Sequence, residues 1–185
     1  MKIEEAIEKE HKFILVGCDA SKERDGMSEL WHVLIKYCNI QPIEAFELPI
    51  RGLYLIAITE EPKEIVKQIG SIIEQKKFDF QISRKFVPIE RILQASLSAL
   101  EDSIGSFLER IPDNARWKIS VNRRHAKIKR NEIIKRIVQL PQAPKGKVDL
   151  TNPDWEIIIE LFGKWIGFSV YPVNSDFRYK VVEQE

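Results

Sequence analysis

The last third of the chain carries the clearest alternation of apolar and polar residues. Apolar side chains recur at every second position of one run, which contains Trp155, Ile157, Ile159 and Leu161. The positions between them hold Glu156, Ile158 and Glu160. This period of two predicts a strand with one buried face. A reversal at 162–164 and a second apolar series at Ile166, Phe168 and Val170 then predict a β-hairpin. Glu156 and Glu160 are expected on its solvated face, too far apart to share a proton.

The first half of the chain alternates between strand and helix patterns. The predicted elements are strand 13–18, helix 28–38, strands 43–48 and 53–59, a helix that starts at Pro62, and a strand-like stretch 78–92 interrupted at Pro88. Pro in the first turn and acidic residues before it are typical of a helix start. The order β-α-β-β-α-β is that of the ferredoxin-like arrangement. The strand near residues 81–88 is expected to end this domain.

The second half adds a helix at 96–111, a strand at 117–122 and a helix at 131–140 before the hairpin. The predicted fold class is therefore α+β, with a ferredoxin-like domain at residues 1–85 and a second α/β domain at residues 86–185. No Gly/Ser-rich or Pro-rich linker separates the two halves. We therefore expect the two domains to pack closely against each other.

The charge of the chain is distributed unevenly. The formal net charge is only +1. Between Arg116 and Lys147, however, there are 11 Lys/Arg and one acid, Glu132, so this segment carries +10 and the rest of the chain −9. A basic segment in an acidic body is typical of a protein that binds a polyanion. The alternative is a solvated helix face that happens to be basic.

The basic run at residues 122–131 falls at a predicted strand-to-helix junction. A helix N-terminus attracts phosphate through its unsatisfied N–H groups and its dipole. We expect Lys145 and Lys147 to lie beside this run, and Arg123 and Arg124 to be loop charges that can be changed without loss of the fold. The candidate nucleic-acid-binding residues are Arg116, Lys118, Arg123, Arg124, His125, Lys127, Lys129, Arg130, Lys135, Lys145 and Lys147. His125 could stack on a base or bind a phosphate, although a loop histidine often does neither.

Other residues point to structure rather than to chemistry. Trp117 and Trp155 lie on apolar strand faces and are expected in the core, whereas Trp165 follows a turn; base stacking is the alternative for all three. Cys18 and Cys38 lack metal-ligand spacing and are expected to be buried thiols. The glycines form no phosphate-binding or dinucleotide-binding loop. We therefore expect no catalytic residue, no cofactor and no metal.

No apolar run approaches the ~20 residues needed to span a bilayer. The acidic, helix-like start of the chain also lacks the apolar core of a signal peptide. Both features indicate a cytoplasmic protein.

Residues 147–153, Lys-Val-Asp-Leu-Thr-Asn-Pro, and 121–125, Val-Asn-Arg-Arg-His, closely resemble the C-terminal part of THUMP domains, with similarity over about residues 81–172. In the N-terminal half, residues 16–25 and 51–56 resemble the stand-alone THUMP proteins. The resemblance implies a ferredoxin-like domain followed by a THUMP domain that binds RNA. In this family the pair of domains is expected to hold the acceptor end of tRNA.

The stand-alone THUMP proteins assist cytidine acetylation of tRNA, so the resemblance implies a partner, an RNA cytidine acetyltransferase. The chain stops shortly after the hairpin, which favours an adaptor over an enzyme with a fused catalytic domain. We expect binding of tRNA and no DNA or membrane partner. One alternative is an RNA-binding subunit of another tRNA-modifying enzyme. Another is a ferredoxin-like protein that senses a small molecule or oligomerises, with an incidental basic face.

Overall fold

The computed structural model describes residues 1–173 and the backbone of residues 179–180. The last residues of the predicted second domain, 174–178 and 181–185, lie outside the described part. Two compact units are present. The first contains Met1–Glu90 together with the short strand at residues 179–180, and the second begins at Arg91. The sequence-based boundary between residues 85 and 86 stays a prediction, as does close packing of the domains.

The first unit contains three helices and four strands before the chain enters the second unit. In order they are α1 (Ile3–Glu8), β1 (Lys12–Cys18), α2 (Glu23–Lys36), β2 (Glu44–Glu47), β3 (Leu53–Ile58), α3 (Pro62–Glu74) and β4 (Ser83–Ile89). The strands form an antiparallel sheet in the order β2-β3-β1-β4. From β1 onwards, the element order agrees with the predicted β-α-β-β-α-β order. Pro88 lies within β4, so the predicted interruption at this residue is wrong.

The apolar periodicity of the first unit produces a core between the two long helices and the sheet. Its buried members include Ile14, Val16, Leu30, Leu34, Tyr54, Ile56, Ile65 and Ile69. Glu29 of α2 accepts hydrogen bonds from the backbone N–H groups of Gln81, Ile82 and Ser83. This carboxylate therefore fixes the start of β4 against the helix. Cys38 is buried as predicted, whereas Cys18 is only half-buried.

The second unit contains four strands and two helices. They are β5 (Arg91–Gln94), α4 (Leu97–Leu108), β6 (Trp117–Arg124), α5 (Arg130–Val138), β7 (Trp155–Phe162) and β8 (Trp165–Pro172). The sheet order is β5-β8-β7-β6, in which β6 and β7 are parallel and the other pairs are antiparallel. The backbone of β9 (Tyr179–Lys180) pairs with β4 of the first sheet. The protein thus has the predicted α+β fold class, with two separate sheets.

Turns in the second unit depend on particular residues. Ser96 caps α4 by accepting a hydrogen bond from the backbone N–H of Ala99. Phe162 pairs with Trp165 across a two-residue hairpin loop in which Gly163 has φ +60°, a conformation that glycine adopts at low cost. The predicted hairpin is therefore confirmed. One face of its first strand packs with both helices in a core that includes Leu100, Ile104, Ile133, Ile137, Ile157 and Ile159.

The prediction that Glu156 and Glu160 face solvent is wrong. Glu156 is 6% exposed and Glu160 is fully buried, as is Ile158 between them. Side chains of the neighbouring strand β6 contact both carboxylates: Ser120 and Lys118 contact Glu156, and Asn122 and Arg124 contact Glu160. Trp117 is buried as predicted, at 4% exposure, but Trp155 is only half-buried. Trp165 is also half-buried, and the Nζ of Lys164 lies 4.8 Å from its ring centroid.

Candidate functional site

The carboxyl ends of the parallel strands β6 and β7 meet at one edge of the second sheet. β6 ends at Arg124 and is followed by the loop 125–129, which leads into α5. β7 ends at Phe162 and is followed by the hairpin loop. The backbone N–H of Gly163 donates to the carbonyl oxygen of Arg124 at 2.9 Å, which joins the two strand ends. Ligands of α/β sheets commonly bind at this end of parallel strands.

A cavity of about 430 Å³ lies at this edge. It is lined by Gln94, Ala95, Ser96, His125, Ala126, Lys127, Ile128, Leu161, Gly163 and Lys164. Its volume falls within the range of roughly 300–1,000 Å³ that is common for small-ligand sites. The lining combines apolar side chains with cationic ones. This combination suits a ligand that has both a flat apolar part and negative charge, such as a nucleotide.

The loop between β6 and α5 carries the most exposed cations of the site. The Nη2 of Arg123 donates to the carbonyl oxygen of Ala126 at 2.9 Å, which braces the loop. His125 has φ +53°, a left-handed conformation that is uncommon for a residue other than glycine. Within the described residues, no ion pair engages the cations that begin α5 or precede it, namely Lys127, Lys129 and Arg130. Their charges are therefore available to an anionic ligand.

Four of the predicted RNA-binding residues have acidic partners within the second unit. The four ion pairs are Arg116–Asp154, Lys118–Glu156, Arg124–Glu160 and Lys145–Asp113. Arg116 donates through both Nε and Nη2 to Asp154, at 3.2 and 2.8 Å. This two-point contact lowers the pKa of Asp154 and raises that of Arg116. Arg116 therefore fixes the start of β7 beside β6. Unlike these four residues, the predicted RNA-binding residue Lys135 is exposed on α5.

The expectation that Lys145 and Lys147 lie beside the basic loop is wrong. The backbone N–H of Trp117 donates to the carbonyl oxygen of Lys147, and Trp117 Nε1 donates to that of Gly146. Both contacts place this segment at the start of β6, whereas the basic loop follows its end. At about 3.3 Å per residue, the strand separates its two ends by roughly 20 Å. Whether these two lysines contact RNA stays a prediction.

The segment 149–154 is held by hydrogen bonds to its own backbone and to the start of β6. Asp149 accepts hydrogen bonds from the backbone N–H groups of Thr151 and Asn152, which lower the pKa of its carboxyl. The backbone N–H of Asp154 donates to the carbonyl oxygen of Arg116 at 2.8 Å. These residues position the start of β7 beside the start of β6.

Arg124 is also placed differently from the prediction that it is a loop charge. Arg123 and Arg124 are the last residues of β6, and Arg124 is bound to the buried carboxylate of Glu160.

Sequence reasoning missed Gln94, Ser96 and Lys164 as lining residues of the cavity. It could have found Lys164 from its place directly after the hairpin glycine. Gln94 and Ser96 carry no such signal, because their position depends on the pairing of β5 with β8.

Among the described residues, no group of three or more His, Cys, Asp or Glu side chains is arranged to hold a metal ion. None of the helices in the described part of the chain has both the length and the apolar character needed to cross a membrane.

Similar folds occur in solved structures. PH1313 from Pyrococcus horikoshii Ot3 matches with a TM-score of 0.62 at 16% identity, over 91% of this chain and 55% of that chain. TrmN from Thermus thermophilus matches with a TM-score of 0.55 at 12% identity, over 90% of this chain and 46% of that chain. A 4-thiouridine synthetase, solved as an RNA complex with bound ATP, matches with a TM-score of 0.50 at 15% identity, over 92% of this chain and 42% of that chain.

The chain therefore spans about half the length of the solved structures that it matches. At these identities the likeness shows a shared fold. No curated protein matches the sequence significantly. The family model of the THUMP domain matches residues 95–171, a range that includes α4, the basic loop and the complete hairpin. The chain therefore contains a THUMP domain, matched over residues 95–171.

Proposed function

We propose that the second unit binds RNA at the edge formed by the ends of β6 and β7. The observation that carries this proposal is the cluster of exposed cations beside a cavity of nucleotide size. Lys127 belongs to both features, because it lines the cavity and has no acidic partner within the described residues. The solved RNA complex of a 4-thiouridine synthetase with a similar fold supports the proposal.

The chemistry of the site suggests how the RNA is held. Lys127, Lys129 and Arg130 neutralise backbone phosphates, and the first turn of α5 adds the positive end of its dipole. The apolar side chains of Ile128 and Leu161 in the cavity offer surface to an unpaired base or a ribose. His125 lines the same cavity and can stack on a base or donate to a phosphate. Phosphate contacts supply affinity, whereas the cavity selects an accessible end or loop of the RNA.

The RNA that we propose is tRNA, held near its acceptor end. In this proposal the first unit acts as a ferredoxin-like domain that works with the THUMP domain on the same tRNA. The order of its elements and the antiparallel order β2-β3-β1-β4 support the ferredoxin-like interpretation. The THUMP match at residues 95–171 supports a role in tRNA modification.

We further propose that the chain is an adaptor rather than an enzyme, and that its partner is an RNA cytidine acetyltransferase. The resemblance of residues 16–25 and 51–56 to stand-alone THUMP proteins supports this finer function. Holding the tRNA close to the enzyme would raise the effective concentration of the target cytidine. An RNA-binding subunit of another tRNA-modifying enzyme remains the alternative with the same binding site.

The binding proposal predicts that the purified chain retains tRNA in a strongly salt-dependent manner. Each phosphate that a cation neutralises contributes a slope of about −0.7 to −0.9 to the dependence of log K on log salt concentration. Folded tRNA should bind more tightly than an unstructured RNA of equal length, since the site recognises shape and an accessible end. Fluorescence anisotropy at several salt concentrations measures both effects. Equal affinity for the two RNAs, or a slope near zero, would contradict the proposal.

The adaptor proposal predicts that, at limiting tRNA, the acetyltransferase forms much more N4-acetylcytidine with the chain than without it. Mass spectrometry of tRNA after incubation with acetyl-CoA and ATP measures the product. The chain alone should produce none, and a large excess of tRNA should partly replace the chain, because the adaptor acts through local substrate concentration. Equal acetylation with and without the chain would contradict the adaptor role, while leaving RNA binding intact.

A further inference from the structure

The face of the second sheet that carries Glu156, Ile158 and Glu160 also carries a row of polar side chains on β6. In the parallel register, Lys118 is paired with Glu156, Ser120 with Ile158 and Asn122 with Glu160. Ser120 Oγ donates to Glu156 at 2.6 Å. Asn122 Nδ2 donates to Oε1 of Glu160 at 2.8 Å, and Arg124 Nη1 donates to Oε2 at 3.2 Å. Both oxygens of the buried Glu160 carboxylate are therefore engaged by the end of β6.

A fully buried carboxylate is difficult to explain by stability alone. Desolvation of a buried ion pair commonly offsets its attraction, and apolar side chains of similar volume are often no less stabilising. Ile158, two residues earlier on the same face, is fully buried and shows that this strand accommodates an apolar side chain there. The contacts of Glu160 thus point to a role in holding its partners in a defined arrangement.

Arg124 is the partner that reaches the functional edge. Its side chain is 33% exposed, whereas the Glu160 side chain that holds it is 0% exposed. Only its Nη1 has a described acceptor, so the N–H groups on Nε and Nη2 remain for a ligand. The backbone carbonyl of the same residue joins β6 to the hairpin loop beside the cavity. A guanidinium fixed on one side in this way can present two parallel donors to a phosphate.

We propose that Glu160 is a positioning residue that fixes the Arg124 guanidinium for a two-point contact with one RNA phosphate. Asn122 holds the second carboxylate oxygen and so prevents the carboxylate from turning. Because the side chain is ordered before RNA arrives, less conformational entropy is lost on binding. This inference rests on the proposed RNA-binding function and adds to it a specific anchor at the end of β6.

The direction in which E160Q changes tRNA affinity distinguishes a positioning role of Glu160 from a purely electrostatic one. Substitution E160Q removes a negative charge near the site and raises the net charge by one. If only charge mattered, tRNA would bind equally well or more tightly. A positioned Arg124 predicts the opposite, because a glutamine replaces one of the two acceptor oxygens by an NH2 donor and no longer attracts the guanidinium. A lower tRNA affinity of E160Q, despite its higher net charge, would therefore support the positioning role of Glu160.

The test measures tRNA affinity of the full chain over a series of salt concentrations for the wild type, E160Q, R124K and the double variant. We expect E160Q to weaken tRNA binding on the order of tenfold. We also expect its salt slope to decrease by the contribution of one phosphate, about 0.7–0.9. R124K keeps the charge and the pairing with Glu160 but lacks the planar fork, and should weaken binding without lowering the slope. In the R124K background, E160Q should have little further effect on affinity.

E156Q is the matched control, because Glu156 is a buried carboxylate on the same face whose described hydrogen-bond donor is Ser120. Its salt slope should equal that of the wild type. A general loss of folded protein would scale affinity by the same factor at every salt concentration and would leave the slope unchanged.

If the wild type binds tRNA and E160Q binds equally well or more tightly, the positioning role is wrong while RNA binding stands. If E160Q does not fold, wild-type affinity of R124K overturns the inference. Absence of tRNA binding by the wild type overturns the proposed function itself.

Discussion

Reversing three charges at the start of α5, with the substitutions K127E, K129E and R130E, is expected to lower tRNA affinity at least about 100-fold at physiological salt. These three side chains are exposed and have no acidic partner within residues 1–173. Their reversal replaces attraction to phosphate by repulsion at the positive end of a helix. The salt slope should fall by the contribution of about three phosphates, which anisotropy titrations measure.

The fold should survive this change. The three residues are outside the core, and Glu132 still accepts a hydrogen bond from the backbone N–H of residue 129 to cap α5. Arg124 is unsuitable for reversal, because a glutamate there would face the buried carboxylate of Glu160. Circular dichroism and the unfolding midpoint should therefore remain close to those of the wild type.

A control that reverses the exposed Lys2, Lys76 and Lys77 of the first unit makes the same change in net charge. If the control weakens binding equally, the site assignment is wrong and only the overall charge matters.

Much of the fold could be predicted from local patterns. The start of α3 at Pro62 and the hairpin of β7 and β8 follow from side-chain chemistry and periodicity within a few residues. The pairing of β5 with β8, and of β9 with β4, could not be predicted, because these contacts join residues far apart in sequence. A short strand such as β5 has no periodicity of its own, so its partner is set by tertiary structure.

The candidate site could be predicted in composition but only partly in geometry. The excess of cations between residues 116 and 147 correctly indicated a basic loop between β6 and α5. The division of these cations into exposed and paired ones could not be predicted, because it depends on which acids lie across the sheet. Glu160 illustrates the reason. Its alternation with Ile159 indicates an exposed face, and only the register with β6 brings Asn122 and Arg124 to its carboxylate.

The segment between α5 and β7 depends on a glycine at position 146, and Gly146→Ala is expected to destabilise the second unit strongly. A Cβ atom at Gly146 would overlap the backbone carbonyl of Ala115. That carbonyl cannot move freely, since Ala115 is buried and Trp117, two residues later, is bound to Gly146 through its indole N–H. We expect the free energy of unfolding to fall by about 3 kcal/mol, the upper range for overpacking. Chemical denaturation measures this change.

Gly163→Ala is the matched control, because it adds the same methyl group to a glycine that is restricted for a different reason. A Cβ atom at Gly163 meets nothing within 4 Å, but its φ of +60° disfavours alanine. The expected loss is about 1 kcal/mol, the cost of a left-handed conformation for a residue with a side chain. Gly146→Ala should also weaken the contact that holds residues 145–147 at the start of β6, so proteolysis of this segment should become faster in that variant alone. Equal losses of stability in the two variants would show that close approach to Ala115 does not determine the need for glycine at position 146.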